Sequence, residues 1–414
     1  MTSGDAAHGS LEALRERNRL RVVDTLRTSG TATRSELARL TGLSRTTVAS
    51  LVSDLQARGL VVEQPRGGNS RGASAGRGRP AGVLALDSTV GAAIGVDFGH
   101  RYVRVALADL SSTVLAEDVV ELDVDHAALA ALDVAVELVD RVIAASGTDP
   151  ERVLGVGMGL PSPIDRRTGT VGSANILEGW AGIRPAEELS SRLGLHVEID
   201  NDANLGARAE HSFGAGRGYS DLIYVQLRAG IGSGLVIGGR LHYGAGGFAG
   251  EIGHVQVEPG GAVCRCGNRG CLETIASAEA LVAALRPSRG RDLTVQGLIA
   301  LVREGDVGAT RIVTDAGRAV GRVLADLCNY VNPACIIAGG DLAAAGPPLL
   351  DGIRDSIDRY ALPAAAEAVE VKAGALGDRA EVLGALALII GNTERLRSAG
   401  LVALRQKELA VSTP

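Results

Sequence analysis

Cysteine is scarce in this sequence, with five among 414 residues. A disulfide scaffold needs a short, cysteine-dense, secreted chain, so that class of protein is excluded. The N-terminal stretch MTSGDAAHGS lacks the charged and apolar regions of a signal peptide, and nowhere do eighteen apolar residues run together. These absences predict a soluble cytoplasmic protein with no membrane partner.

Charge divides the chain into a small basic part and a large acidic part. Residues 1–90 carry 13 Arg against eight Asp or Glu, a net charge of +5, which leaves −11 for the rest of a chain of net charge −6. The stretch PRGGNSRGASAGRGRP, at 65–80, has no acidic residue and five glycines. Because such a stretch cannot bury a core, we predict an N-terminal domain over 1–64 and a flexible basic linker over 65–90.

The N-terminal domain has the pattern of a helix-turn-helix. The stretch from Thr33 to Glu36 fits a capping box, and Gly42 can end the short helix that it starts. Ser44 can cap a second helix, whose apolar residues recur at i, i+3, i+4 and i+7. This stripe is formed by Val48, Leu51, Val52 and Leu55. A third helix is expected around residues 18–27, and residues 60–63 are expected to begin a wing.

The start of the second helix is the predicted DNA-reading surface. Small polar side chains and an arginine begin this helix, where a recognition helix meets base edges, and the domain is basic. The residues concerned are Ser44, Arg45, Thr46, Ala49 and Ser50. The alternative is a three-helix packing module that does not bind DNA, in which these side chains face solvent.

A second candidate contact with DNA lies in the predicted linker. Arg77 and Arg79 stand on a Gly-Pro backbone in the sequence RGRP, which resembles the core of an AT-hook. Two such arginines can lie in a narrow minor groove, where the negative potential is strongest. The alternative is a solvated linker, and these four residues alone leave both interpretations open.

The rest of the chain, from residue 91, shows a similar strand pattern twice. β-branched runs broken by turns and followed by a helix-like stretch predict β-β-β-α from AAIGVDFGHRYVRVALADLSSTVLAEDVVEL onwards. A comparable pattern recurs in DLIYVQLRAGIGSGLVIGGRLHYG, where the glycine-rich stretch 230–234 is expected to be a turn between two strands. Two similar lobes, each with such a turn facing inward, would enclose a cleft.

Five short motifs in this body together resemble those of the ROK family of repressors, open reading frames and sugar kinases. They are GLP at 159–161, NDAN at 201–204, AGEIGH at 249–254, CLE at 271–273 and IAGG at 337–340. The resemblance spans nearly the whole chain. It implies an α/β body of the actin-like, hexokinase type, preceded here by a winged helix-turn-helix. It also implies lobes over 91–200 and 201–414, with C-terminal helices that pack back on the first lobe.

The family resemblance accounts for the cysteines gathered between residues 254 and 271. The positions that match the family's structural zinc site are His254, Cys264, Cys266 and Cys271. The chemistry agrees, because three thiolates and an imidazole suit tetrahedral Zn²⁺ and leave no open position for a catalytic water. The alternative is a loop of idle thiols. Cys328 and Cys335 lie in apolar patterns and are predicted to be core residues.

The resemblance also implies a sugar site. The positions that match the family's ligands for sugar hydroxyls are Asn201, Asp202, Glu251, His254 and Glu273. Carboxylates and an amide suit a polyol, because each oxygen can accept from a hydroxyl and the amide can also donate. His254 would then join the metal to the ligand. Without the family pattern, each residue would be a turn residue or a helix cap, and a cleft that binds nothing stays an alternative.

Both phosphate loops depart from the pattern of the family's kinases, in which the residue that matches Asp202 is the catalytic base. Where those kinases have Asp-x-Gly-Gly-Thr, residues 97–101 are DFGHR, and where they have Gly-Thr-Gly-Ile-Gly, residues 228–232 are RAGIG. Bulky side chains stand where backbone N–H groups would approach phosphate. We therefore predict that the chain is not an enzyme. The alternative is a kinase in which Arg101 and Arg228 hold phosphate themselves.

The sequence as a whole predicts a ROK-type transcriptional repressor of genes for sugar metabolism or transport. A sugar or sugar derivative bound between the lobes would stabilise one lobe arrangement and so change the affinity for operator DNA. The family and the half-site geometry of helix-turn-helix proteins imply a homo-oligomer, either dimer or tetramer. The main alternative is a ROK sugar kinase with an added DNA-binding domain.

Overall fold

The structure of the protein is a computed structural model, and it describes most of the chain. The described residues are 14–15, 18–19, 21–27, 29–64, 82–87, 89, 91–172 and 175–391. Within these residues, no helix combines the length and the apolar character that a bilayer span requires.

The N-terminal domain combines helices with a small antiparallel sheet. Its elements are α1 (residues 21–27), β1 (Thr31–Ala32), α2 (Arg34–Thr41), α3 (Arg45–Ala57), β2 (Val61–Gln64) and β3 (Val83–Leu86). The predicted capping box is present, because Thr33 Oγ1 accepts from the backbone N–H of Glu36 at 3.3 Å and the Glu36 carboxylate accepts from that of Thr33 at 2.7 Å. The predicted stripe on α3 is buried in the core of the domain.

The last strand of this domain corrects the predicted linker. Residues 83–86 were assigned to the linker over 65–90, but they form β3, which pairs antiparallel with β2 so that Val61 lies opposite Leu86. Leu84 and Leu86 are buried in the domain core, because an apolar stretch of this kind is stabilised by removal from water. The stretch 65–81, with Arg77 and Arg79, therefore lies between two wing strands in the chain and outside the described residues.

The body is built on two mixed sheets with the same strand order. The first sheet has the order β10-β7-β4-β5-β6, and the second has the order β13-β12-β11-β14-β15. The strands of the first lobe are β4 (Ala92–Gly99), β5 (Tyr102–Asp109), β6 (Val114–Glu121), β7 (Val153–Leu160) and β10 (Val197–Asn201), with a hairpin of β8 (Ile164–Asp165) and β9 (Thr170–Val171). Those of the second are β11 (Leu222–Leu227), β12 (Ile231–Ile237), β13 (Arg240–Leu241), β14 (Cys335–Gly339) and β15 (Glu370–Ala373).

The repeated pattern predicted from the sequence is confirmed in these sheets. In each, the first strand of the lobe is central, with two antiparallel strands on one side and two parallel strands on the other. The inward turn of the second lobe is shorter than predicted. Leu227 pairs with Ile231, so the turn comprises residues 228–230 and the following glycines lie within β12.

Helices cover both sheets and also pass between them. They are α4 (Ala128–Ser146), α5 (Pro185–Leu193), α6 (Asp202–Phe213), α7 (Glu273–Ala276), α8 (Ala278–Arg289), α9 (Val295–Arg303), α10 (Val307–Val331), α11 (Pro347–Tyr360), α12 (Pro363–Ala368) and α13 (Ala380–Ile390). Short 3₁₀ turns lie at Pro150–Arg152, Glu178–Trp180, Ile252–His254, Asp341–Ala345 and Gly377–Arg379. Helix α6 packs on β11 and β12, whereas α13 packs on β4 and β7 of the first lobe and against α6. These two helices therefore pack together between the lobes.

Candidate functional site

A cavity of about 340 Å³ lies between the two lobes, within the usual size range of small-molecule pockets. The first lobe contributes residues 99–102 and 161–163, and the second contributes the turn at 228–230 and the segment around Glu251. The cavity is therefore the cleft that the duplicated strand pattern predicted.

The predicted sugar-binding residues come from separate segments and meet at this cavity. Its lining includes Asn201, Asp202, Glu251, His254 and Glu273. Asn201 ends β10 and caps α6, since its side-chain oxygen accepts from the backbone N–H groups of Ala203 at 3.0 Å and Asn204 at 3.3 Å. Asp202 follows as the first residue of α6, and Glu273 is the first residue of α7.

Carboxyl groups in the cleft have altered proton affinities. Burial, together with the charge of Glu381, raises the pKa of Asp202 to about 6, although His100 and Arg228 oppose the rise. Burial also raises the pKa of Glu251 to about 7, and the charges of neighbouring carboxylates add to this. Perturbed titratable groups that share one cavity are typical of ligand-binding and catalytic sites.

A layer of hydrogen bonds behind the cleft holds the end of β10 in place. The Asp200 carboxylate accepts from the Tyr243 hydroxyl at 2.8 Å and from the side-chain amide of Asn204 at 3.0 Å. Arg208 donates to the same tyrosine hydroxyl at 3.1 Å. These contacts fix the strand end from which Asn201 and Asp202 extend into the cleft.

The His/Cys cluster lies beside this cleft and can hold a metal ion. Its donor atoms, from His254, Cys264, Cys266 and Cys271, all lie within 4.8 Å of one another. The sulfurs of Cys266 and Cys271 are 3.8 Å apart, and Nδ1 of His254 is 3.5 Å from the sulfur of Cys264. Tetrahedral bonds of about 2.3 Å to sulfur and 2.0–2.1 Å to nitrogen would place donors roughly 3.5–3.8 Å apart. The donor set and its spacing therefore fit a four-coordinate ion.

The loop that carries the cysteines is closed by backbone hydrogen bonds. Cys264 donates to the carbonyl of Asn268 at 2.8 Å, and Gly267 donates to that of Cys264 at 2.9 Å. Gly270 has φ +67°, and a Cβ atom there would lie 1.6 Å from the carbonyl oxygen of Glu258. Only glycine fits at this position, which brings Cys271 back towards the other ligands.

Arg265 links the metal loop to the cleft. Its guanidinium group pairs with Glu273 at 3.2 Å, and the sulfur of Cys264 lies 3.4 Å from the same carboxylate oxygen of Glu273. The metal loop and a predicted sugar ligand are thus in direct contact. Sequence reasoning missed Arg265, although its place between two predicted metal ligands was an available signal.

Arg228, in the second phosphate-loop position, is engaged within the protein. It donates to the Glu381 carboxylate at 2.8 Å, to the carbonyl of Asp378 at 3.3 Å and to the Tyr102 hydroxyl. That hydroxyl donates in turn to Asp97 at 2.9 Å. Burial and the charge of Glu381 raise the pKa of Asp97 to about 7. We call Asp97, Tyr102, Arg228 and Glu381 the inter-lobe cluster.

The first phosphate-loop position holds two other basic side chains. His100 places its ring Nδ1 2.7 Å from Asp125, and Arg101 is exposed to solvent at the edge of the cavity. Sequence reasoning singled out these basic residues but missed Glu381 and Tyr102. No local signal could have found them, because Arg228 is 153 residues from Glu381 and 126 residues from Tyr102.

The predicted DNA-reading residues lie together on one exposed face. Ser44 caps α3 by accepting from the backbone N–H of Thr47 at 3.1 Å, and the exposed residues at the start of this helix are Arg45, Thr46, Ala49 and Ser50. Arg77 and Arg79 are outside the described residues. Cys328 and Cys335 are buried in the body, as predicted.

Known proteins resemble the chain over its N-terminal domain as well as its body. A model of the ROK family matches residues 93–392, and one of the MarR family matches residues 16–72. A xylose repressor of Caldicellulosiruptor bescii is 30% identical over 397 residues, covering 93% of this chain and 98% of that protein.

Solved structures of ROK family proteins resemble this chain as well. A ROK family transcriptional regulator, described as a homologue of the Escherichia coli Mlc protein, superposes with a TM-score of 0.74 at 23% identity, over 94% of this chain and 99% of its own. A ROK glucokinase of Streptomyces griseus in complex with glucose and AMPPNP gives a TM-score of 0.63 at 31% identity, over 72% of this chain and 99% of its own. The motif-based resemblance is thus confirmed: the chain belongs to the ROK family and carries a MarR-type winged helix at its N-terminal end.

Proposed function

We propose that this protein is a transcriptional repressor whose affinity for operator DNA is controlled by a sugar or sugar derivative bound in the inter-lobe cleft. One observation carries the proposal. Five polar residues from separate segments converge on one cavity of suitable size, in a chain that also has a winged helix. The similarity to a xylose repressor along almost the whole of both chains supports the same function.

The chemistry of the cleft suits a neutral polyol. Asp202, Glu251 and Glu273 supply carboxylate acceptors for hydroxyl donors, and the Asn201 amide can also donate. Hydrogen bonds to ionised acceptors are stronger than neutral ones, which favours a ligand with several hydroxyl groups over an apolar one. The named relative points to a pentose, and the glucose in the related kinase points to a hexose.

We infer that the ion held by the cysteine loop is Zn²⁺ and that its role is structural. Three thiolates and one imidazole are the ligands that zinc prefers, and four protein ligands complete a tetrahedral shell. When bound, zinc would fix the loop that carries Arg265, which lines the cleft beside Glu273 of α7. His254 would hold the ion through one ring nitrogen and face Glu251 with the other, 4.0 Å away.

The DNA contacts are proposed to come from the exposed start of α3. Arg45 and its small polar neighbours would meet base edges, as in other recognition helices. Arg77 and Arg79 would add contacts in the minor groove. A homo-oligomer, dimer or tetramer, would present two DNA-binding domains to an operator with two half-sites.

The proposal excludes sugar phosphorylation as the main activity. Arg228 supports this exclusion, because its guanidinium group already pairs with Glu381 and Tyr102 and stands where the family's kinases have a glycine-rich phosphate loop. The position of Asp202 favours the alternative, a kinase, since its pKa of about 6 suits a general base. Both candidates predict sugar binding, so turnover distinguishes them.

The experiment has two arms on the purified full chain. In the first, thermal unfolding is followed with D-xylose, D-glucose, D-galactose, D-mannose and their phosphates. In the second, an operator is selected from random double-stranded DNA, and its Kd is measured with and without each sugar. Asp202→Asn tests the cleft. Arg318→Gln is the matched control, because it alters only an exposed pair of ion bridges to Asp315 and Asp355.

We expect at least one sugar to raise the Tm of the wild type and of the control, to raise the Tm of Asp202→Asn by less at the same concentration, and to change the operator Kd. If the selection enriches no DNA sequence, the result would contradict the proposal that the protein is a transcriptional repressor. Release of ADP that depends on both sugar and Asp202 would establish the kinase instead.

A further inference from the structure

The inter-lobe cluster extends from the cavity to α13. Arg228 and Tyr102 line the cavity, and Glu381 lies in the first turn of α13. Glu381 is fully buried, and its second oxygen accepts from the side-chain amide of Gln226 at 2.8 Å. Gln226 of β11 and Arg228 of the following turn therefore bond one carboxylate of α13, and Tyr102 of β5 is linked to it through Arg228.

Helix α13 packs closely against β4 and β7 of the first lobe and against α6 of the second. A Cβ atom on Gly157 of β7 would lie 2.0 Å from the carbonyl oxygen of Ala385. Val382 and Leu386 are buried in a cluster with alanines of β4 and β5. Close packing of this kind transmits a displacement, because no space is left to absorb it.

The far end of α13 lies beside the DNA-binding domain. Leu154 packs against the buried residues that α13 shares with β4 and β5, and it also packs against the core of the winged helix. Leu110 is buried in that core. A Cβ atom on Gly391, which follows α13, would lie 3.6 Å from a guanidinium nitrogen of Arg27 in α1. Packed residues therefore connect the cleft, through α13, to the DNA-binding domain.

Arg228 lies near two carboxylates and has one N–H group, on Nε, that bonds neither of them. Its Nη2 bonds Glu381 at 2.8 Å, whereas its Nε lies 4.0 Å from Asp341, which also lines the cavity. That Nε is buried and makes no hydrogen bond to any described residue. A buried donor without a partner is costly, so a small shift of the turn that let it bond Asp341 would lower that cost. A second arrangement, in which Nε bonds Asp341, would therefore compete with the present one.

We propose that Arg228 is a positioning residue that relays occupancy of the cleft to α13, and through α13 to the DNA-binding domain. A ligand that draws the lobes together changes the position of the turn at 228–230. That shift changes the bond from Arg228 to Glu381 and so the seating of the helix that contacts the head. The effector part of this inference rests on the proposed function. The packing of α13 between the inter-lobe cluster and the DNA-binding domain does not rest on it.

The test compares conservative variants with the wild type. Arg228→Lys keeps the charge but loses the forked geometry, and Glu381→Gln keeps the shape but loses the charge. Arg318→Gln again serves as the matched control. Amide exchange of residues 380–391 and 21–27 is measured without sugar, and the operator Kd is measured with and without D-xylose and D-glucose. Sugar binding is followed separately by calorimetry.

Without sugar, we expect faster exchange in both segments in the two cluster variants and no change in the control. In the wild type, we expect the operator Kd with sugar to differ from that without sugar by the roughly 5- to 150-fold that is typical of allosteric coupling. In the two cluster variants, we expect this ratio to fall towards one. Sugar Kd should change less than this ratio does. Arg228→Lys, which keeps the positive charge, should retain part of the response, which an unfolded protein would not do.

The outcomes separate the two hypotheses. A wild type that responds to sugar, with variants that exchange and respond as it does, would overturn the relay and leave the proposed function standing. A wild type that does not respond, with variants that still exchange faster in residues 21–27, would overturn the sugar response and support the relay. If amide exchange in the variants is faster only in α13 and not in residues 21–27, the connection from α13 to the DNA-binding domain would be overturned.

Discussion

His254 faces Cys264 with one ring nitrogen and Glu251 with the other: Nδ1 lies 3.5 Å from the sulfur, and Nε2 lies 4.0 Å from the carboxylate. A metal bound at Nδ1 would leave the proton on Nε2, because a neutral imidazole carries only one. His254 would then present a donor on the side of the cleft carboxylate. Occupancy of the metal site would therefore set the hydrogen-bonding pattern of the cleft as well as stabilise the loop.

The first prediction concerns metal content. We expect about one zinc per chain by elemental analysis, and we expect Cys264→Ser to lose the metal and to unfold at a lower temperature, since binding energy at a structural site is coupled to folding. Cys328→Ala, at a buried cysteine away from the loop, should keep its zinc. A metal-free protein that stays folded and still gains stability from sugar would show that the site is not structural.

Local patterns in the sequence were enough to predict the elements on which the site depends. The capping box at Thr33, the stripe on α3 and the repeated strand pattern each rest on residues a few positions apart, and the structure contains all three. The match of the cysteine loop to the zinc site of the ROK family likewise predicted a cluster that the structure brings together. Short-range periodicity and ligand spacing are visible in a single chain because they depend on local geometry.

Two features depended on contacts that no local pattern reveals. The strand at Val83–Leu86 is separated from its partner by a stretch with linker composition, so the wing appeared to end too early. Arg228 and Glu381 meet only because α13 returns to the first lobe after the whole of the second. Pairings between distant segments are set by the overall topology.

The second prediction is that sugar binding weakens in acid. Burial and the charge of Glu381 raise the pKa of Asp202 to about 6, and His100 and Arg228 oppose that rise. As the pH falls through about 6, Asp202 gains a proton and its carboxylate ceases to be a charged acceptor. Charge-assisted hydrogen bonds are about twice as strong as neutral ones, so we expect affinity to fall several-fold.

Calorimetry with the stabilising sugar between pH 5 and pH 8 measures this dependence. Asp202→Asn should bind more weakly at pH 8 and lose the part of the slope near pH 6, since its amide does not titrate, whereas Glu251, whose pKa burial raises to about 7, should keep its own part. A variant with the wild-type slope would assign the titration to another group in the cleft.

The third prediction is that no sugar is phosphorylated above background. Arg228 bonds Glu381 and Tyr102, and His100 lies 2.7 Å from Asp125, so we expect neither phosphate loop to accept a triphosphate. A coupled assay for ADP over the sugar panel, with a ROK glucokinase as positive control, measures this. Turnover that is lost in Asp202→Ala would identify the chain as an enzyme.

The fourth prediction concerns Arg77 and Arg79, which lie between the two wing strands in the chain. If both enter the minor groove, replacing both by Ala should weaken binding more to operators with A·T-rich flanks than to those with G·C-rich flanks. Contacts with phosphate alone would lower the affinity for both operators alike and reduce the salt slope by about one per lost charge. Equal losses on the two flanks would exclude the minor-groove contact.

The fifth prediction concerns Arg45, which is exposed at the first position of α3. If its guanidinium group bonds one guanine through two donors, Arg45→Ala should cost about 1–3 kcal/mol and relax the preference at one operator position. Arg39→Ala is the matched control, because Arg39 is exposed on α2, away from the recognition helix. The control should keep the base preference at every position, whatever its effect on affinity. Binding measured on operators substituted one base pair at a time distinguishes the two variants, and an Arg45→Ala protein with unchanged base preferences would remove this residue from the reading surface.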